Sequence, residues 1–318
     1  MHHLLVISLY DQEITGTESF EVTENTYTVK DVYFRDITYT LESKHVIMVN
    51  QQSTNIDIAS STFNNIRGSS FGLAVFCIGN LSISKVCGYK CHSSLSNLFL
   101  YQNSTALISF LSVSTCSESY TDNTTIDTEN ASVQYSNISN CSPKFSAINI
   151  IKPYDKIQFC EFMYNKHETQ ALYVRGENIN IRSCVFAYNN GIGLLAEDSN
   201  LVQVEDSYFI GNIKKDIKSE DATVELYSCK YSSNIMTDGT TIKFVSGNRK
   251  GEGNIIDPIS SNPYWGQTGY YCYYQNFGVP TWKEIHPDCD INQAKIDERL
   301  KYKRVKVIFS LGETFNII

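Results

Sequence analysis

The sequence predicts an all-β solenoid, a right-handed parallel β-helix of about nine coils with an irregular C-terminal cap. Three observations predict it: a six-position pattern recurs every 22 to 24 residues, a second apolar ladder runs between its copies, and turn residues separate the two. A fixed period of that length marks a repeat architecture whose units bury their apolar faces only by stacking.

The clearest copies are Ile157-x-x-Cys160-x-Phe162-x-x-Asn165, Ile181-x-x-Cys184-x-Phe186-x-x-Asn189, Val204-x-x-Ser207-x-Phe209-x-x-Asn212 and Leu226-x-x-Cys229-x-Tyr231-x-x-Asn234. Weaker copies precede them: Val133, Ser136, Ile138 and Cys141; Ile108, Leu111, Val113 and Cys116; Ile83, Val86, Gly88 and Cys91; Ile58, Ser61, Phe63 and Ile66; then Val32 and Ile37. The second ladder reads Val75, Leu100, Ile126, Ile150, Val174, Ala196 and Ile217, often alternating as in Leu73-x-Val75 or Leu98-x-Leu100. Alternation at period two marks a strand with one buried face. Asn55, Asn80, Asn130 and Asn178 each stand three residues before a first-ladder strand, and Gly191 and Gly193 open another. The Asn column is expected to bond amide to amide along the stack, to satisfy turn backbone groups, and to take the left-handed turn conformation. Leucine-rich repeats share the spacing. Here Cys, Ser, Phe and Tyr fill the supposed Leu slots, and a β-alternating segment replaces the helix.

The domains expected are an N-terminal segment or partial first coil (1–24), the β-helix (25–245) and an aromatic-rich cap or tail (246–318). The last holds Trp265, Tyr270, Tyr271, Tyr273, Tyr274 and Trp282, one candidate helix from Ile291 to Tyr302, and a strand-like Val305 to Phe309. A net charge of −8 argues against a nucleic-acid partner. The basic residues Lys301, Lys303, Arg304 and Lys306 read as a solvated face. The apolar run from Leu4 to Leu9 lacks the basic start and length of a signal peptide and reads as a strand. No stretch has the length of a membrane span.

The run from Asn190 to Asn200 followed by Val204 to Asn212 resembles the repeat of the pectin-lyase-like superfamily. Its Phe-x-x-Asn element resembles chlamydial and trichomonad β-helix surface proteins. The resemblance covers residues 25 to 245. It implies the fold, a surface or extracellular setting, and functions that include polysaccharide lyases, polygalacturonases and adhesins.

Outward positions of the first strand, Ser84, Ser109, Gln134, Gln158, Arg182, Glu205 and Tyr227, carry no acidic pair of the kind glycosidases use. Glu205 and Asp206 are expected to meet Arg182 across one coil as an exposed ion pair. The columns Cys160, Cys184, Cys229 and Cys91, Cys116, Cys141 read as buried free thiols, with a disulfide between neighbours as the alternative. Cys272 and Cys289, past the repeats, are candidates for a bridge with each other that would pin the tail. Six Asn-x-Ser/Thr sequons stand at Asn80, Asn103, Asn123, Asn130, Asn137 and Asn140, with Asn80 and Asn130 in accessible turns. No catalytic, cofactor-binding or metal-ligating residue is assigned. The function expected is a non-catalytic surface or secreted protein binding glycans or other proteins. The alternatives are a polysaccharide-cleaving enzyme, or a truncated family member without activity of its own.

Overall fold

The computed structural model describes residues 8–251, apart from 11–12, 18, 23–24, 41–43, 71, 95–98, 119–123, 167–169, 233–234 and 239–240. The chain divides into two compact units, Met1–Pro280 and Thr281–Ile318, and every described residue belongs to the first. The described residues form a parallel β-solenoid with no helix. Asn234, Leu98, the aromatic tail, Ile291 to Tyr302, Val305 to Phe309, the Lys301–Lys306 cluster, Cys272, Cys289 and the sequon at Asn123 lie outside them.

Each coil has two long walls in one twenty-stranded sheet and a third wall in a ten-stranded sheet. The first arm of the large sheet stacks strands such as Asn178–Arg182, Leu201–Glu205 and Val224–Tyr227. The second arm stacks Glu161–Met163, Val185–Ala187 and Tyr208–Ile210. The ten-stranded sheet runs from Phe20–Val22 to Ile235–Asp238 and includes Gln170–Arg175 and Ile192–Glu197. A short sheet of Arg67–Gly68, His92–Ser93 and Ser117–Glu118 adds a fourth side to three coils.

The repeat slots stack as the pattern requires. Ile157, Ile181, Val204 and Leu226 are in register, as are Phe162, Phe186, Phe209 and Tyr231. The three Phe rings are buried and parallel, with centroids 5.1 and 4.6 Å apart. Such a pair contributes about 0.5–1.5 kcal/mol beyond its burial. Gly88 occupies the same column because the Phe99 ring fills its space: a Cβ there would meet Phe99 at 2.5 Å.

The second ladder needs a correction of register. Val75, Leu100 and Ile126 continue into Ile148, Leu172, Leu194 and Ile217. Ile150, Val174 and Ala196 form the neighbouring inward column with Thr128 and Ser219. Both columns are apolar in the later coils and two residues apart, so sequence alternation alone fits either.

The corners follow a rule absent from the sequence pattern. At both ends of the second arm one residue per corner takes a left-handed conformation in most coils, and these residues stack. Between the arms they include Lys85, Phe110, Tyr135, Phe159, Ser183 and Asp206, with φ between 48° and 57°. After the second arm they include Asn65, Lys90, Thr115, Asn140, Tyr164 and Tyr188, with φ between 52° and 56°. Each such L-residue costs roughly 1–2 kcal/mol. The cost is offset locally: Tyr135 and Phe159 keep their backbone N–H bonds to the next coil, and the rings of Phe110, Tyr135 and Phe159 stack at 4.9 and 5.1 Å.

The following residue closes the corner. Ser207 Oγ donates to Glu205 O two residues back and accepts the Cys184 N–H of the preceding coil. Cys160, Cys184 and Cys229 direct their thiols to the carbonyl two residues back, at 3.3–3.4 Å. Ser and Cys thus share this column in the later coils because both offer a short X–H donor. Cys77, Cys91, Cys116, Cys141, Cys160, Cys184 and Cys229 are free and buried, in keeping with the thiol reading of both columns. Burial pushes the Cys116, Cys141 and Cys160 thiols well above their ordinary value.

The Asn column closes the second corner. Asn165 and Asn189 donate from Nδ2 to the next asparagine's Oδ1, at 3.1 and 2.9 Å. Asn165, Asn189 and Asn212 also donate to Ile138 O, Phe162 O and Phe186 O. The expected left-handed backbone is not theirs. It belongs to Tyr164, Tyr188 and Gly211, one residue earlier, because the amide must point inward to reach those carbonyls.

Candidate functional site

Functional side chains must come from the outward columns, since the inward ones are the core. On the first arm the outward column is the expected one, Ser84 to Tyr227 in register. Arg182 Nε lies 3.8 Å from Glu205 and 3.6 Å from Asp206, an exposed ion pair. A pair of this kind contributes little stability.

The ten-stranded sheet presents a different surface. One outward column holds Phe76, Tyr101, Asp127, Asn149, Tyr173, Leu195 and Lys218 in register. The next holds Glu129, Ile151, Arg175, Glu197 and Glu220. Sequence reasoning inspected only the first arm and missed this acidic set. The available signal was the position immediately after Val174, Ala196 and Ser219, which the alternation turns outward.

Tyr173 is the centre of the cluster. Its ring is buried against Phe145 at 5.6 Å, and its hydroxyl donates to Glu197 Oε2. Burial pushes its phenol well up, and the bond to Glu197 adds to the shift. Tyr101 is likewise raised, by burial first and then by Asp127 and Glu129. Glu197 and Glu220 are register partners one coil apart. Lys218 pairs with Glu220, and Arg175 pairs with Asp198 at 2.5 Å.

An open cleft of about 740 Å³ adjoins this cluster at the corner leading back to the first arm. Ile151, Lys152, Pro153, Arg175, Gly176, Glu177, Asn178, Asp198 and Asn200 line it. The corner is built as the others are. Lys152 and Asp198 take left-handed backbone, and Ser199 Oγ donates to Glu197 O while accepting the Gly176 N–H. Tyr154, beside Pro153, is exposed. Arg175 and Asp198 line the cleft and act electrostatically on Tyr173, so the cleft adjoins the Tyr173–Glu197 pair, neither of which lines it. The arrangement offers amides, both charge signs and a half-buried carboxylate held by a phenol.

Among the described residues no group of His, Cys, Asp and Glu has the arrangement of a metal site, and no helix is long and apolar enough to cross a membrane. Of the described sequons, Asn80 and Asn103 are exposed and Asn130 is half-buried. Asn137 is buried with its amide on Glu161 at 2.9 Å, which closes it to a glycan in the folded chain.

No family model and no curated protein matches the chain. Among solved structures it is similar to the periplasmic alginate epimerase AlgG, at 9% identity and a TM-score of 0.40 over 75% of this chain and 76% of that one. It is similar to tailspike protein 3 of bacteriophage CBA120, at 12% identity and a TM-score of 0.31 over 78% of this chain and 55% of that one. It is also similar to the A-module of the Azotobacter vinelandii mannuronan C-5 epimerase AlgE6, at 11% identity and a TM-score of 0.29 over 71% of this chain and 85% of that one. On its own stacked sheets and inward columns, the chain is a parallel β-solenoid protein.

Proposed function

We propose that this protein binds a glycan in the cleft bounded by Lys152, Arg175, Asn178, Asp198 and Asn200. The observation that carries the reading is an open cleft beside a Tyr173–Glu197 pair in which a buried phenol holds a half-buried carboxylate. Concave sites with a few convergent polar groups are the usual places for small or chain-like ligands. Amides and charged forks suit hydroxyl recognition, and the exposed Tyr154 ring beside the cleft offers an apolar face to a sugar.

A second reading, cleavage, rests on Glu197 and Glu220. They stand one coil apart, a step of about 4.8 Å. Retaining glycosidases hold their two carboxyl groups roughly 5–5.5 Å apart. In that reading Glu197, bonded to the Tyr173 hydroxyl, and Glu220, paired with Lys218, divide the acid and nucleophile roles.

Isothermal titration with neutral, amino-sugar and uronate oligosaccharides tests binding. Saturable binding that falls at least tenfold on Arg175→Ala is expected, and binding untouched by that change removes the cleft from the proposal. Reducing-end and unsaturated-product assays run alongside. Turnover lost in Glu197→Gln and Glu220→Gln would replace the binding reading with the enzymatic one.

A further inference from the structure

Asn103 is set apart from the other described sequons by its surroundings. It stands between Leu100–Gln102 of the ten-stranded sheet and Ala106–Ser114 of the first arm, at a corner where its side chain is exposed. Its sequon ends in an exposed threonine, Thr105, where those at Asn80, Asn130, Asn137 and Asn140 end in serine. A β-branched threonine holds its hydroxyl in fewer rotamers, which favours it as the second half of an acceptor.

An aromatic ring completes the set. Tyr101 stands two positions before Asn103, and positions two apart along a strand share a face. The Asn103 amide is in hydrogen-bonding contact with the Tyr101 hydroxyl. Phe76 stacks on one side of the Tyr101 ring at 5.3 Å. The register partner on the other side is Asp127, so the row of rings ends at Tyr101. Tyr101 is half-buried, and the remainder of its ring offers an apolar surface to the C–H face of a sugar attached at Asn103.

The other sequons lack this combination. Asn80 is held in the corner ladder, donating to Asn55 Oδ1 at 3.0 Å and accepting from Ser104 Oγ at 3.3 Å. Asn130 and Asn140 take left-handed corner backbone, with φ of 45° and 52°, and the buried Thr128 and Ile138 stand two positions before them. Asn137 has Tyr135 at that position but is itself buried against Glu161.

We propose that Asn103 carries an N-linked glycan whose first N-acetylglucosamine lies against the Tyr101 ring. The donor is a polyprenyl-diphosphate-linked oligosaccharide. Asn103 Nδ2 bonds to the anomeric carbon of the sugar as the bond from that carbon to the diphosphate breaks. The diphosphate leaves with the electron pair, and the amide nitrogen gives one proton to a base of the transferase. The transfer takes place in a secretory compartment. The disulfide-bonded Cys87 belongs to an oxidising setting of that kind.

The test is site mapping on the full chain, secreted from mammalian cells behind a cleavable leader. Peptide N-glycosidase in heavy-oxygen water converts each glycan-bearing asparagine to a labelled aspartate, read by mass spectrometry. Asn103 is expected to be labelled in more chains than any other described sequon, with Asn137 unlabelled. An unlabelled Asn103, or Asn137 labelled as fully as Asn103, would overturn the assignment. Thr105→Ala is expected to abolish the label at Asn103. Enzymatic removal of the glycan from the folded chain is expected to lower the thermal midpoint by a few degrees, and to change it little in Tyr101→Ala. Equal shifts in both chains, or none in either, would refute the contact with Tyr101.

Discussion

Asn189 shows how much one buried polar side chain does in a solenoid. Its Oδ1 accepts from the Asn165 backbone and amide, and its Nδ2 donates to Phe162 O and Asn212 Oδ1. Removing the amide leaves partners in two adjoining coils unsatisfied, at about 1–3 kcal/mol for each buried group. Asn189→Ala is therefore expected to destabilise by about 3 kcal/mol or more in urea unfolding. Cys184 makes the complementary case. Its role is a short donor to Arg182 O in a small space, and Ser207 fills the next coil's slot in the same way. Cys184→Ser is expected to cost less than Cys184→Val, which adds bulk and removes the donor. Alkylation is expected to spare Cys116, Cys141 and Cys160 in the native chain and to modify them on unfolding, because burial keeps them as thiols.

At the scale of the strand, Gln170–Arg175 and Ile192–Glu197 set the site by alternation alone. Leu172, Val174, Leu194 and Ala196 fill the core, which leaves Tyr173, Arg175 and Glu197 pointing away from it. The Tyr173 phenol is held up first by burial and then by Glu197. Folding thus favours its protonated form. The stabilisation is complete below the unfolded phenol value of about 10 and is lost as pH rises through the higher folded value. Alkaline denaturation followed by phenolate absorbance is expected to lose part of its late-titrating step in Tyr173→Phe. Tyr27, pushed up to about 12 by burial, contributes in the same direction between about pH 10 and 12.

The whole molecule is a stack in which each coil is the template for the next. Its stability therefore follows nearest-neighbour terms, and a defect in a central coil disturbs both sides. Phe186 stacks on Phe162 and Phe209. Phe186→Ala is expected to cost about 3–5 kcal/mol and to lower the thermal midpoint more than the exposed change Leu107→Ala.

The sequence by itself determined the fold class, the stacking of Ile157, Phe162 and Asn165 with their counterparts, and the burial of the free thiols. Inward residues repeat because every coil meets the same core, and that repetition is legible as a period. Other features were decided only in three dimensions. The second ladder's register depended on which of two equally apolar columns faced its neighbours. The left-handed corners fell to Tyr, Phe, Lys and Ser because the stack supplies their hydrogen bonds. The candidate site was hidden because outward residues obey no repeat. Tyr173, Glu197 and Glu220 stand 47 residues apart at most in the chain, and only parallel stacking puts them on one face.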